Sequence, residues 1–220
     1  MKKIAILSAS PKKGEPSVSA LLCGLAKERF VNAGLQADVI EVGKALNDSE
    51  PAFETMRSAD AMLIVFPLYF FCMPGMLMRF LEDYAASAGQ RQAGQKIFTI
   101  VNCGFPEPEI NEDAVRVIRS FAGHIGAEFG FGVCFGSGGM VLGAKEAPFM
   151  KKPMKMLSDA ADRMAATVTK SAKTASETVY VGVKLPKWTY FLGGNLGWKQ
   201  LAKKNGLKKR DLYDTPYRAE

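Results

Sequence analysis

Residues 3–22, KIAILSASPKKGEPSVSALL, change character twice within a short span. KIAILSA (3–9) is a compact, β-branched-rich apolar run, the pattern of a buried strand. SASPKKGEPSVS (8–19) is a loop of serine, proline, glycine and lysine. From Val18 onward, Leu21, Leu22 and Leu25 recur on one helical face. Strand, polar loop and helix make the opening unit of a βα alternation, and the chain repeats it. Further strands are expected at 36–42 (QADVIEV), 61–66 (AMLIVF), 96–102 (KIFTIVN) and 128–135 (EFGFGVCF), the last weakened by glycines. Between them a helix from about residue 74 carries Leu77, Leu81 and Tyr84, and another carries Ile110, Ala114, Val117, Ile118, Phe121 and Ile125. Met150, Met154, Leu157, Ala161, Met164 and Val168 form the stripe of a long final helix. Five alternations predict an α/β fold, a doubly wound five-stranded parallel sheet with helices on both faces.

Composition agrees. The 220 residues are 48% hydrophobic and 23% charged, which excludes disorder, collagen and a disulfide-rich miniprotein. The cysteines at 23, 72, 103 and 134 have no CxxC spacing, so neither a zinc knuckle nor a disulfide framework is indicated. Reduced thiols in a cytoplasmic protein fit that usage. The basic start MKKIAIL is too short in apolar residues for a signal peptide. Residues 61–78 are uncharged, yet Pro67, Pro74 and Gly75 break them into a strand and a helix start rather than a membrane span.

Charge divides the chain. Residues 1–179 carry 20 basic and 19 acidic side chains, whereas 180–220 carry nine basic and three acidic. Both tryptophans and four of six tyrosines also fall in the second segment. A neutral domain (1–179) and a basic, aromatic C-terminal extension (180–220) are therefore expected.

Ligands of parallel α/β sheets bind outside the carboxyl ends of the strands, so the loops starting at 8, 67, 102 and 135 decide the function. The first lacks GxGxxG and GxxxxGK[ST], which argues against a dinucleotide turn and a P-loop. It offers Ser8, Ser10, Ser17 and Ser19, the cations Lys12 and Lys13, and the free amides of a helix start. Those amides favour an anion such as phosphate; a serine N-cap on a solvated loop is the plainer alternative. The second loop places Pro67, Leu68, Tyr69 and Phe70 where a flat ring can stack, or where core and dimer contacts form. In the third, NCGFPEPE (102–109), Gly104 permits close approach to backbone amides. GSGGMVLG (136–143) reads most simply as a flexible loop.

Taken in order, the three loops resemble those of the flavodoxin-like NAD(P)H-dependent FMN reductases and quinone reductases. Ala9-Ser10-Pro11-Lys12 with Ser17-Val18-Ser19 is similar to that family's first loop, and Pro67, Tyr69, Pro74 and Asp83 match its second segment. Ala9, Lys12 and Arg79 are mild departures from its pattern. The resemblance spans residue 1 to about 175 and implies strand order 2-1-3-4-5. It implies FMN as cofactor, with NADPH or NADH as co-substrate and a small-molecule electron acceptor. Ser10, Ser17, Val18 and Ser19 would hold the FMN phosphate, with Lys12 nearby. Pro67, Leu68, Tyr69 and Phe70 would line the isoalloxazine ring, and Asn102, Cys103, Gly104 and Phe105 would meet its polar edge. The flavin carries the hydride chemistry, so no catalytic side chain is nominated. The iron–sulfur branch needs a tight cysteine cluster, which is lacking here, so no such cluster is expected.

The main alternatives are a flavodoxin-type electron carrier and a flavin-free docking module that uses the extension. Carriers are often strongly acidic, and this domain is neutral. A thiol-redox site at Cys72, Cys103 and Cys134 is the lesser reading beside their role as buried small residues. Apolar surface at PLYFFCMPG predicts a homodimer. For the extension, an arm packed on protein is preferred to a membrane-surface anchor, because Pro186, Gly193, Gly194 and Gly197 should interrupt any continuous amphipathic face. Nothing beyond charge supports nucleic-acid binding.

Overall fold

The computed structural model describes residues 1–12, 14–87, 89–170 and 177–215. Lys13 of the first loop and Arg218 of the extension lie outside the described residues. Two compact units result, Met1–Val183 and Lys184–Glu220. Residues 180–183, counted above with the extension, lie in the first.

Strands β1 (Lys3–Ser8), β2 (Gln36–Glu41), β3 (Ala61–Pro67), β4 (Lys96–Asn102), β5 (Glu128–Phe135) and β6 (Val179–Val181) form one parallel sheet ordered β2-β1-β3-β4-β5-β6. The expected fold class and the order of the first five strands hold. The sheet has six strands rather than five. Val179, Tyr180 and Val181 pair with Val133, Cys134 and Phe135 along what would be an open edge. A three-residue strand carries too little periodicity to stand out against the aromatic, turn-rich sequence around it, and the waiting edge of β5 selects it.

Helices cover the sheet: α1 (Val18–Asn32), α2 (Val42–Ala45), α3 (Glu50–Ser58), α4 (Gly75–Ala86), α5 (Glu112–His124), α6 (Val141–Ala144) and α7 (Lys151–Lys170). Alternate residues of the strands enter opposite layers. Ala5 and Leu7 of β1 and Met62, Ile64 and Phe66 of β3 join a core with Phe53 of α3, Leu77, Phe80 and Tyr84 of α4 and Val115 and Ile118 of α5. The other layer involves α1 and α7, which pack together and are linked by an Arg29–Asp162 ion pair. All of Ala61–Phe66 is buried, as a central parallel strand requires.

Two readings of detail change. The buried face of α1 is Ser19, Leu22, Cys23, Ala26 and Phe30, so Val18, Leu21 and Leu25 flank it rather than define it. The glycines of β5 admit neighbours. A Cβ on Gly130 would stand 2.2 Å from the Phe98 ring, and one on Gly132 would stand 2.5 Å from Val115. Large side chains thus occupy the space those strand positions leave open.

In the second unit, α8 (Lys187–Lys204) is one uninterrupted helix. Gly193, Gly194 and Gly197 lie inside it and leave gaps along its side-chain faces. Glycine lowers helix propensity by about 1 kcal/mol per residue but does not forbid the conformation.

Candidate functional site

The order in which strands are added reverses between β1 and β3, since β1 leads outward to β2 on one side and β3 begins the run on the other. Loops leaving the carboxyl ends of these two strands diverge and leave a crevice there. The first of them departs from buried Ser8 and Ala9, and the Ala9 amide still donates to the Val65 carbonyl at 2.9 Å. The chain then turns through exposed Pro11 and Lys12 and returns at Ser17.

Ser17 is the N-cap of α1. Its backbone is extended, and its Oγ accepts from the Ala20 amide at 3.1 Å. An oxygen that accepts this bond keeps its own hydrogen to donate outward. Ser10 is arranged similarly, its Oγ accepting from the Lys12 amide at 3.3 Å. With Ala20 capped, the amides of Val18 and Ser19 are the first-turn donors left at the positive end of a 15-residue helix. These groups suit a phosphate: two hydroxyls, two amides, a helix dipole and the exposed Lys12 cation.

Ser19 sits differently. It is 1% exposed, and its Oγ accepts from Asn102 Nδ2 at 3.1 Å. The second hydrogen of that amide group goes to the Phe66 carbonyl at 3.0 Å. The Asn102 carbonyl in turn accepts from the Leu68 amide at 2.8 Å. Asn102 therefore clamps the ends of β3, β4 and α1 together, with both side-chain donors spent inside the protein.

After Pro67, a tight turn projects from β3. Tyr69 and Cys72 exchange both backbone hydrogen bonds at 2.9 Å, with Phe70 (φ 46°) and Phe71 (φ 60°) between them. Positive φ at both central residues suits Asn-Gly, not two phenylalanines. Left-handed backbone costs a bulky residue about 1–2 kcal/mol. The rings gain no burial in return, because Phe70 is 98% and Phe71 60% exposed. Left-handed backbone at two largely exposed phenylalanines, at the carboxyl end of β3, is strain of the kind that clusters at functional sites. Replacing the pair by Asn-Gly (Phe70→Asn/Phe71→Gly) is expected to raise unfolding free energy by about 1–3 kcal/mol. Denaturant unfolding measures it, and a less stable variant would contradict the strain.

The third loop is fastened from beneath. The Cys103 amide donates to the Phe135 carbonyl at 3.0 Å, the Ser137 amide to Phe105 at 2.6 Å and the Gly138 amide to Cys103 at 2.8 Å. A Cβ on Gly136 would stand 2.6 Å from the Pro106 carbonyl oxygen, so only glycine permits this approach. Residues 136–143 are thus not a loose loop. They turn through Ser137 (φ 59°, 1% exposed) into a 3-10 turn at Gly138–Met140 and α6. Gly104 and Phe105 face outward, and no atom lies within 4 Å of where a Gly104 Cβ would be. That open space is where a flat ligand's edge can meet backbone.

Ser137 and Asn111 were missed in the sequence. Asn111 is fully buried, and its Nδ2 reaches Cys103 Sγ at 3.4 Å and the Pro108 carbonyl at 3.0 Å. Glycines immediately after β5 were the available signal for the first; Asn111 offered none. The three buried thiols are poorly suited to redox work. Burial pushes Cys23 and Cys134 up to about 12 and raises Cys103, which opposes thiolate formation.

Comparison with known proteins agrees with this layout. The family model for NADPH-dependent FMN reductase matches residues 2–107, the span from β1 through the third loop. No curated protein matches the chain in sequence. Among solved structures, an oxidoreductase from Corynebacterium diphtheriae is 16% identical, with a TM-score of 0.60 over 78% of this chain and 99% of that one. An apo NADH:FMN oxidoreductase is 19% identical, with a TM-score of 0.58 over 76% of this chain and 90% of its own. An NAD(P)H:quinone oxidoreductase from Methanothermobacter marburgensis is 16% identical, with a TM-score of 0.57 over 76% and 95%. At these identities the likeness is one of fold.

Proposed function

We propose that this chain, whose residues 2–107 match the model of the NADPH-dependent FMN reductase family, works as that family does, and we propose how its loops hold FMN and which acceptors it serves. It is an NAD(P)H-dependent FMN oxidoreductase. When bound, FMN supplies the redox chemistry, taking hydride from NADPH or NADH and passing electrons on.

The protein's part is binding and orientation. Ser10 and Ser17 donate hydroxyl hydrogens to the phosphate, and the Val18 and Ser19 amides meet it at the start of α1, with Lys12 adding long-range attraction. Pro67, Leu68, Tyr69 and Phe70 border the ring, and Gly104 and Phe105 of the Asn102–Phe105 loop lie at its polar edge. Asn102 and Cys103 hold that loop in place through the bonds already described. The Ser19 side chain belongs to the same fastening. The observation that supports this assignment is the Ser17-capped start of α1, reached by the loop that leaves β1 beside the point where strand order reverses.

The acceptor is a small molecule of the quinone, free flavin, nitro- or azo-compound or metal-ion class. Exposure of Tyr69, Phe70, Phe71 and Phe105 at the rim leaves room for planar acceptors and favours a homodimer that covers part of this surface in the cytoplasm. A monomeric mass in light scattering would remove the dimer. Absorbance of the purified protein under anaerobic conditions tests the reductase. Flavin bands should bleach on adding NADPH or NADH and return with a quinone. Flavin bands that neither nucleotide bleaches would make the protein an electron carrier instead.

A further inference from the structure

The second unit has a feature the flavin site does not use. Along α8, Trp188–Trp198 carries no charged residue, and Trp188, Phe191, Leu192, Leu196 and Trp198 are each at least half exposed. Immediately beyond come Lys199, Lys203, Lys204, Lys208, Lys209 and Arg210. No aspartate or glutamate occurs between Glu177 and Asp211. Apolar and cationic groups are therefore separated lengthwise, the aromatic turns first and the basic turns after.

An open face of this composition needs a partner that is apolar and anionic at once. Nucleic acid answers the lysines but not five exposed apolar side chains. A second protein answers the apolar groups, but the chain offers no acidic cluster at this face to pair with the basic one in a second copy. An anionic bilayer surface answers both, with tryptophan and leucine at the acyl boundary and lysine at the phosphates. No helix among the described residues is long and apolar enough to cross a membrane, so the contact is at the surface.

We infer that α8 and the basic residues after it dock this protein on anionic lipid bilayers. The contact is peripheral and salt-sensitive. It rests on the second unit alone, so it stands or falls separately from the flavin site.

Trp188 and Trp198 are the only tryptophans, so selectively excited tryptophan fluorescence reports on α8 alone. The full chain is titrated with phosphatidylcholine vesicles, with and without phosphatidylglycerol, followed by emission wavelength and by co-sedimentation. A blue shift and sedimentation with the anionic vesicles only are expected. Lys199→Gln/Lys203→Gln/Lys204→Gln/Lys208→Gln should weaken partitioning more than about hundredfold. Phe191→Ser/Leu192→Ser/Leu196→Ser, which keeps both tryptophans, should weaken it more than about tenfold. Four outcomes would overturn the inference: no partitioning of the native chain into anionic vesicles, equal partitioning into neutral ones, partitioning that survives both variants, or binding of a mixed-sequence DNA duplex in place of vesicles. A concentration-dependent mass without vesicle binding would assign the face to a second copy instead.

Discussion

Protein with both Ser10→Ala and Ser17→Ala is expected to purify largely without flavin. Each hydroxyl is placed to donate to a phosphate, and a hydrogen bond to a charged group contributes about 1.5–3 kcal/mol. Losing two removes about 3–6 kcal/mol of binding, roughly a 10²- to 10⁴-fold loss of affinity. Ser17 also caps α1 through the Ala20 amide, so the same change costs about 0.5–2 kcal/mol of stability. The two effects separate experimentally: thermal melting of flavin-free protein reads the cap, and the ratio of flavin to protein absorbance reads the phosphate contact. Tyr69→Leu serves as the comparison. It loses mainly ring contact, about 0.5–1.5 kcal/mol, and should remain yellow. A double mutant that keeps flavin as the parent does would move the phosphate away from this loop.

Asn102→Ala is expected to be the most destabilising single change near the site. Its side chain is 5% exposed and spends both donors, on Ser19 Oγ at 3.1 Å and Phe66 O at 3.0 Å. Each lost bond costs about 1 kcal/mol, and acceptors left dry cost more, for a total of about 2–4 kcal/mol. For a chain of this size that lowers Tm by about 5–15 °C. Asn102→Asp keeps the shape but sets carboxylate oxygens against the Phe66 carbonyl, so it should be at least as harmful. Parent-like melting of Asn102→Ala would show that the three strand ends do not depend on this clamp.

Much of this protein follows from local pattern. Period and length marked the first five strands and the covering helices α1, α4, α5 and α7, because a buried parallel strand must be a short apolar run and its covering helix must carry a stripe. The three site loops were legible for the same reason: the carboxyl ends of the strands locate them, and serine, proline and glycine mark their turns. Ser17 as an N-cap is also local, since a hydroxyl three residues before the amide it satisfies needs no distant partner.

Tertiary structure decided what depends on neighbours far along the chain. Val179–Val181 became a strand because β5 left an edge to pair with. Gly136 is required because the Pro106 carbonyl passes within 2.6 Å of where its Cβ would be, which no spacing rule records. Asn102 and Ser19 read as ligands when considered loop by loop, yet they bond to each other across 83 positions and hold the loops. The left-handed backbone at Phe70 and Phe71 and the unbroken course of α8 through three glycines went against residue preference. Preferences of about 1 kcal/mol per residue set odds for local conformation, and packing, closure and pairing over the whole chain are larger and settle the outcome.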